Sequence, residues 1–110
     1  MSVTDLDPAD LVRPDYGGMC LDAVLPAVAA AVGSELEPQR AAQARSARAR
    51  LDLPSAERVC VVLVDGLGER MLTERRGHAA FLRGHLPSAR TLTVGYPSTT
   101  AASMGLFGTG

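Results

Sequence analysis

The sequence lacks lysine altogether, and all 11 of its basic residues are arginine. We attribute this bias to the base composition of the coding sequence rather than to chemistry. An excess of positive charge is also missing, since 11 basic residues stand against 12 acidic ones and the formal net charge is -1. A domain that binds nucleic acid normally carries a basic patch and a high isoelectric point. The composition therefore argues against nucleic acid as a partner.

Long apolar stretches and targeting signals are absent as well. The longest apolar stretch, residues 23–32, contains ten residues and is interrupted by Pro26, whereas a membrane-spanning helix needs about 20. The acidic N-terminus has neither the basic nor the apolar region of a secretory signal. Cys20 and Cys60 have no cysteine near them in the sequence with which to form a metal-binding motif. We therefore expect no membrane partner, a cytoplasmic location and reduced, buried cysteines.

With 110 residues, 46% of them hydrophobic and 21% charged, the chain has the composition of one small globular unit. We divide it at residue 57. Residues 1–57 are predicted to form an N-terminal arm, a helix and a linker. Apolar residues from Leu21 to Val32 recur at the spacing of one helical face, and Gly33 is a plausible stop. Pro26 either kinks this helix or marks its start. Residues 39–50 could form a second helix or a mobile, solvated linker, which we favour over a phosphate-binding segment.

Residues 58–110 show a different pattern. The continuous apolar run at residues 59–64, in which four of the six residues are β-branched valines, is typical of a strand buried on both faces, as in parallel sheets. Residues 89–96 alternate in the manner of a second strand. Helices are predicted at 69–76, 78–83 and 101–107. This order predicts a right-handed βαβ unit and hence an α/β fold. His78 and His85 match no standard ligand spacing and are predicted to be surface residues.

Polar residues follow both predicted strands. Asp65 and Gly66 come directly after the first strand, and residues 97–100, Pro-Ser-Thr-Thr, follow the second. Ligand sites in open α/β sheets lie beyond the carboxyl ends of strands, so we expect these groups to converge. Thr99 or Thr100 precedes a predicted helix, whose free amides and dipole favour an anion. A carboxylate could hold a metal that activates the hydroxyl as a nucleophile. The simpler interpretation, a strand-to-helix turn at Asp65 and an N-cap at Thr100, is the more common use of such residues.

Three segments, taken in order, resemble the alkaline phosphatase superfamily, and most closely its type I phosphodiesterase/nucleotide pyrophosphatase branch. They are Val61–Gly68, Tyr96–Ser103 and Gly108–Gly110. The resemblance implies that residues 58–110 begin an incomplete, alkaline-phosphatase-like three-layer core with a mostly parallel sheet. It makes Thr100 the nucleophile and a metal ligand, and Asp65 a second metal ligand. It also implies two divalent metal ions, usually zinc, whose other ligands are expected beyond residue 110.

The expected function is a metal-dependent phosphohydrolase that acts through a phosphothreonine intermediate on a small-molecule phosphate ester or nucleotide. Ser103 and Met104 stand where this family often has asparagine, so the sequence does not specify the substrate. One alternative is an incomplete fragment without activity of its own. A less favoured alternative is a dinucleotide-binding α/β domain, because the glycine motif that begins at Gly66 has Met71 in place of its third glycine. In addition, His85 occupies the position of the expected acidic ribose ligand.

Overall fold

The structure is a computed structural model, and it describes residues 11–74, 77 and 79–110. The predictions for residues 1–10 of the arm, for residues 75 and 76 of the first helix after Asp65, and for His78 lie outside the described residues. The described residues form five α-helices: α1 (Val24–Ala31), α2 (Pro38–Leu51), α3 (Glu69–Glu74), α4 (Ala80–Gly84) and α5 (Thr100–Thr109). None of the helices in the described residues has the length and the apolar composition that a membrane span requires.

The first helix begins beside its proline. A short 3₁₀ turn at Leu21–Ala23 leads into α1, so that Pro26 lies in the first turn, where a backbone N–H has no acceptor to lose. The last residue of α1 is Ala31, and the chain turns away at Gly33, whose φ of 71° is the left-handed conformation that glycine adopts at low cost. The N–H groups of Gly33 and Ser34 donate to the carbonyl oxygens of Ala30 and Ala29. The predicted stop is therefore confirmed, and its hydrogen bonds are those of a Schellman motif.

Residues 38–51 are helical and not a mobile linker. Pro38 starts α2 at the first helical position, where its fixed φ suits a helix, and Asp52 ends it with a left-handed φ of 54°. One face of α2 packs against α1 to form an antiparallel hairpin. The buried residues of this hairpin are mostly alanines: Ala23, Ala27 and Ala31 from the first part, and Ala44, Ala47 and Leu51 from α2. Small side chains let the two helices approach closely, so this packing supplies most of the buried core in the described residues.

The predicted α/β fold, with its mostly parallel sheet and three-layer core, is wrong for the described residues. Residues 59–64 form no strand, and all six are exposed. Residues 89–96 contribute a single parallel bridge, between Thr93 and Cys20. A strand buried on both faces needs neighbours on both edges and helices above and below, and no described residue pairs with this run. The predicted burial of the cysteines is confirmed for Cys20 and wrong for Cys60, which lies in the exposed run.

Candidate functional site

The two residues singled out from the sequence lie side by side. The Thr100 hydroxyl Oγ1 donates a long hydrogen bond of 3.3 Å to Oδ1 of Asp65, although 35 residues separate them in the chain. We expected this meeting because parallel strands end at one edge of a sheet. The two residues meet without that sheet, so the convergence holds although its predicted cause does not.

Two adjacent threonines at the start of α5, Thr99 and Thr100, have different structural roles. Thr99 is the N-cap residue, with extended backbone angles, and its hydroxyl accepts a hydrogen bond of 3.3 Å from the Ala102 N–H. Thr100 is the first residue of α5, and its hydroxyl is therefore not needed for capping. The interpretation of Thr100 as an N-cap is wrong, and Thr99 is the residue that performs this task.

Asp65 lies in a tight turn between the exposed run and α3. Gly66, the next residue, has a φ of 69°, which a residue with a side chain rarely adopts. At the start of α3, the Glu69 carboxylate accepts a 2.7 Å hydrogen bond from the Thr91 hydroxyl. This contact ties α3, and with it the turn at Asp65, to the segment that leads into α5. The turn predicted from Asp65 and Gly66 is thus present, and it also carries the carboxylate of the site.

The segment before Thr100 is held by the arm near the N-terminus. The hydroxyl of Tyr16 accepts a hydrogen bond of 3.0 Å from the Tyr96 N–H. Three residues after Tyr16, the carbonyl oxygen of Met19 accepts a hydrogen bond of 2.9 Å from the Thr93 N–H. The Asp15 N–H donates to the Thr93 hydroxyl at 2.9 Å. Sequence reasoning missed this role of Tyr16, because a lone tyrosine in a Gly- and Pro-rich arm carries no periodic signal.

A cavity of about 660 Å³ opens beside the pair. Its volume lies within the range of roughly 300–1,000 Å³ typical of small-molecule sites. Ser103 follows Thr100 by one helical turn, so its hydroxyl is on the same face of α5 and also lines the cavity. The polar lining consists of Asp65, Ser98, Thr100 and Ser103, and the apolar lining includes Leu21, Leu63, Val94 and Met104. A polar patch of one carboxylate and three hydroxyls on an otherwise apolar wall can orient a small polar ligand.

The oxygen atoms of Asp65 and Thr100 that could bind a metal fit one divalent cation better than two. Two oxygen ligands about 2.0–2.2 Å from a tetrahedral ion stand roughly 3.3–3.6 Å apart, and Asp65 Oδ1 and Thr100 Oγ1 are separated by 3.3 Å. Among the described residues, no group of three or more His, Cys, Asp or Glu side chains could hold a metal ion together. The described residues thus offer two oxygen ligands for one ion, and they do not provide the ligands of a two-zinc centre.

The chain was compared with protein-family models, with curated proteins and with solved structures, and no comparison found a match. The resemblance to the alkaline phosphatase superfamily therefore stays a prediction. The dinucleotide alternative loses its expected setting, because residues 59–64 do not form the strand that must precede its glycines. The contact between Asp65 and Thr100 and the cavity beside it are the observations on which a function can be argued.

Proposed function

We propose that Asp65 and Thr100 form the nucleophilic centre of a phosphohydrolase that acts on a small phosphate ester or nucleotide. The observation that carries the proposal is the hydrogen bond from the Thr100 hydroxyl to the Asp65 carboxylate at 3.3 Å. A threonine hydroxyl is a weak nucleophile unless a neighbouring base or a metal activates it. Here the neighbouring base is the carboxylate, and both groups face a cavity large enough for a small substrate.

The first chemical step follows from this geometry. Thr100 Oγ1 attacks the phosphorus atom in line with the leaving group, its proton passes to Asp65, and the bond from phosphorus to the leaving oxygen breaks. The leaving group departs with the bonding electron pair and takes up a proton from solvent water, and Thr100 becomes phosphothreonine. In the second step a water molecule attacks phosphorus, the bond to Oγ1 breaks, and Oγ1 recovers its proton from Asp65. The proton that the attacking water loses neutralises the hydroxide left by the first step. Substrate and water are consumed, and one alcohol and one phosphate product are released.

The start of α5 supports anion binding at the same place. The N–H groups in the first turn of a helix have no partner within the helix, and the helix dipole makes this end positive. Thr99 satisfies the N–H of Ala102, which leaves the earlier amides of the ten-residue α5 for phosphoryl oxygens. Ser103 adds a hydroxyl to the same wall. These groups would hold the phosphoryl oxygens while Thr100 attacks.

Asp65 and Thr100 would instead be the ligands of a divalent cation when one is bound, with water and substrate oxygens as its further ligands. In that case the cation, and not Asp65, would activate the hydroxyl. When bound, this cation would lower the pKa of the hydroxyl and neutralise charge on the phosphoryl oxygens. Zinc is the metal that the resemblance implies. We also propose that the protein is located in the cytoplasm. The free thiols of Cys20 and Cys60 support this location, because disulfides are rare there.

The proposal is tested with the full chain, a chromogenic phosphodiester, a chromogenic phosphomonoester and a series of divalent metals. Thr100→Ala should lower the hydrolysis rate at least about a thousandfold, because the bond-forming atom is lost. The matched control is Thr109→Ala, since Thr109 lies on the same helix and its hydroxyl donates only to the Gly105 carbonyl at 2.8 Å. Equal turnover by Thr100→Ala and the native chain would sink the assignment.

Cation binding separates this proposal from an inactive fragment that has the same fold. Calorimetric titration with Mn²⁺ or Zn²⁺ should show one site, which Asp65→Asn weakens at least about tenfold through the loss of the charged ligand. A chain that binds the cation through Asp65 but leaves both esters intact would be an inactive fragment. A chain that neither binds nor hydrolyses would contradict the site itself.

A further inference from the structure

Tyr16 lies in a tight turn of the N-terminal arm. The Gly18 N–H donates to the Asp15 carbonyl oxygen at 2.9 Å, and Gly17 within the turn has a φ of 73°. A four-residue turn with a left-handed third residue is of type II and favours glycine at that position. The Met19 N–H also donates to the Asp15 carboxylate at 2.8 Å. These bonds fix the backbone on both sides of Tyr16.

The Tyr16 hydroxyl contacts the chain segment that enters α5. It accepts a hydrogen bond of 3.0 Å from the Tyr96 N–H. A Cβ atom added at Gly95 would stand 3.2 Å from the Tyr16 hydroxyl oxygen and 3.1 Å from Cδ2 of Leu106 in α5. Both distances are shorter than the optimal separation of non-bonded atoms. The absence of a side chain at Gly95 therefore lets the arm, this segment and α5 meet at one point.

We infer that Tyr16 is a positioning residue for Thr100, an inference that rests on the proposed function. Thr100 begins α5 four residues after Tyr96, so the hydrogen bond to Tyr16 helps to fix where this helix starts. The contact between Thr100 and Asp65 is already long, at 3.3 Å, and a shift of about 1 Å at a reacting group can cost about a hundredfold in rate. Tyr16 lies outside the lining of the cavity, so it acts through Thr100 and not on the substrate.

Two tyrosine-to-phenylalanine substitutions test the Tyr16 hydroxyl in the full chain. Tyr16→Phe removes the acceptor oxygen and keeps the ring. It should lower kcat for a chromogenic phosphodiester about threefold to tenfold, which is the range that one lost hydrogen bond explains, and leave KM within about twofold. Tyr96→Phe is the matched control, because Tyr96 joins the contact through its backbone N–H and its side chain is 81% exposed. Its kcat and KM should equal the native values.

Amide exchange separates positioning from a loss of fold. In Tyr16→Phe the N–H of residue 96 loses its acceptor, so its exchange measured by NMR should be at least about threefold faster than in the native chain and in Tyr96→Phe. Turnover is measured at a temperature at which circular dichroism shows all three chains to be folded. A fall in kcat that only follows the unfolded fraction would overturn the positioning role, and so would equal exchange at residue 96 in all three chains.

Gly95→Ala tests the same contact from the other side. The added Cβ would press on the Tyr16 hydroxyl and on Leu106, so this substitution should also lower kcat several-fold. In a Tyr16→Phe background the crowding oxygen is gone, and Gly95→Ala should then cost less. The loss in the double variant should therefore be smaller than the product of the two single losses. A loss equal to that product would overturn the shared contact.

Failure of this inference can be told apart from failure of the proposed function. A native chain that hydrolyses neither ester, or Thr100→Ala that turns over as fast as the native chain, would contradict the proposed function, and positioning by Tyr16 would fall with it. Hydrolysis that depends on Thr100 but has the same kcat in Tyr16→Phe and the native chain would overturn the positioning role alone. A higher KM with unchanged kcat would overturn it too, because Tyr16 would then act in substrate binding.

Discussion

The hairpin of α1 and α2 and the apolar run Val59–Val64 use hydrophobic residues in opposite ways. The hairpin buries small side chains, and Ala27, Ala31, Ala44 and Ala47 are each at most 3% exposed. The run carries larger and more hydrophobic side chains, yet Val62 is 79% exposed. Hydrophobicity therefore does not locate the core of this chain. Burial depends on a packing partner, which the two helices give each other and which no described residue gives the run.

The widest contrast between the two regions is expected in amide hydrogen exchange. Inner amides of α2, near Ala44 and Ala47, should exchange at least about 100-fold more slowly than the amides of the apolar run, because packed helices open less often than unpaired backbone. Exchange measured by mass spectrometry on a dilute sample of the native chain gives the comparison. Equal rates in both regions would mean that the hairpin is not a stable unit.

Matched leucine truncations test the same contrast by stability. Leu51 is 9% exposed at the end of α2 and packs in the alanine cluster, whereas Leu63 in the run is 44% exposed. We expect Leu51→Ala to lower the free energy of unfolding by about 2 kcal/mol, and Leu63→Ala by about 0.5 kcal/mol or less. Urea titrations followed by circular dichroism measure both values. Reversed values would show that the run, rather than the hairpin, holds the structure together.

The positions of α1 and of the apolar segment 59–64 could be predicted from the sequence, but the way these elements pack could not. The apolar spacing after Leu21 and the stop at Gly33 predicted α1, since both are local signals of a single helix. The packing of α2 was missed, because alanines among arginines give little periodic contrast. The run at residues 59–64 was predicted to be a buried strand, because a local pattern reports what a segment needs and not whether a partner is present.

At the candidate site, too, the sequence predicted which residues matter but not the contacts that position them. Asp65 and Thr100 were predicted to meet at the end of a parallel sheet, and they meet at 3.3 Å without one. One of the contacts that hold the segment before Thr100 is the hydrogen bond that the Tyr96 N–H donates to the Tyr16 hydroxyl, between residues 80 positions apart. Contacts between residues so far apart in the sequence depend on tertiary structure, and a single sequence contains no signal for them.

A pair of glycine substitutions should move stability in opposite directions in the two halves. Gly33 in the hairpin has a φ of 71°, and Gly105 lies within α5 with no atom near an added Cβ. Gly33→Ala should cost about 1 kcal/mol through its left-handed backbone, and Gly105→Ala should stabilise α5 by about 0.5–1 kcal/mol. Thermal unfolding followed by circular dichroism measures both. Stabilisation by Gly33→Ala would contradict the left-handed helix end.

The smallest expected effect concerns an ion pair between the hairpin and the segment that leads to Thr100. Asp52 at the end of α2 accepts a 3.0 Å hydrogen bond from Arg90, and the two side chains are 80% and 49% exposed. Water screens such a pair, so a double-mutant cycle of Asp52→Asn and Arg90→Gln should give a coupling of about 0.5 kcal/mol. Asparagine suits position 52, because it tolerates the left-handed φ of 54° there.

The salt dependence of the coupling energy tests whether the coupling is electrostatic. Raising the ionic strength to 1 M shortens the screening length to about 3 Å, so the coupling should fall towards zero. The Arg70–Glu74 pair within α3, also 3.0 Å long, is the control that joins no separate regions. A coupling of about 2 kcal/mol between Asp52 and Arg90 that persists in salt would contradict the expected screening by water. It would mean that the hairpin and the segment leading to Thr100 act as one rigid unit, in which the hairpin helps to position Thr100.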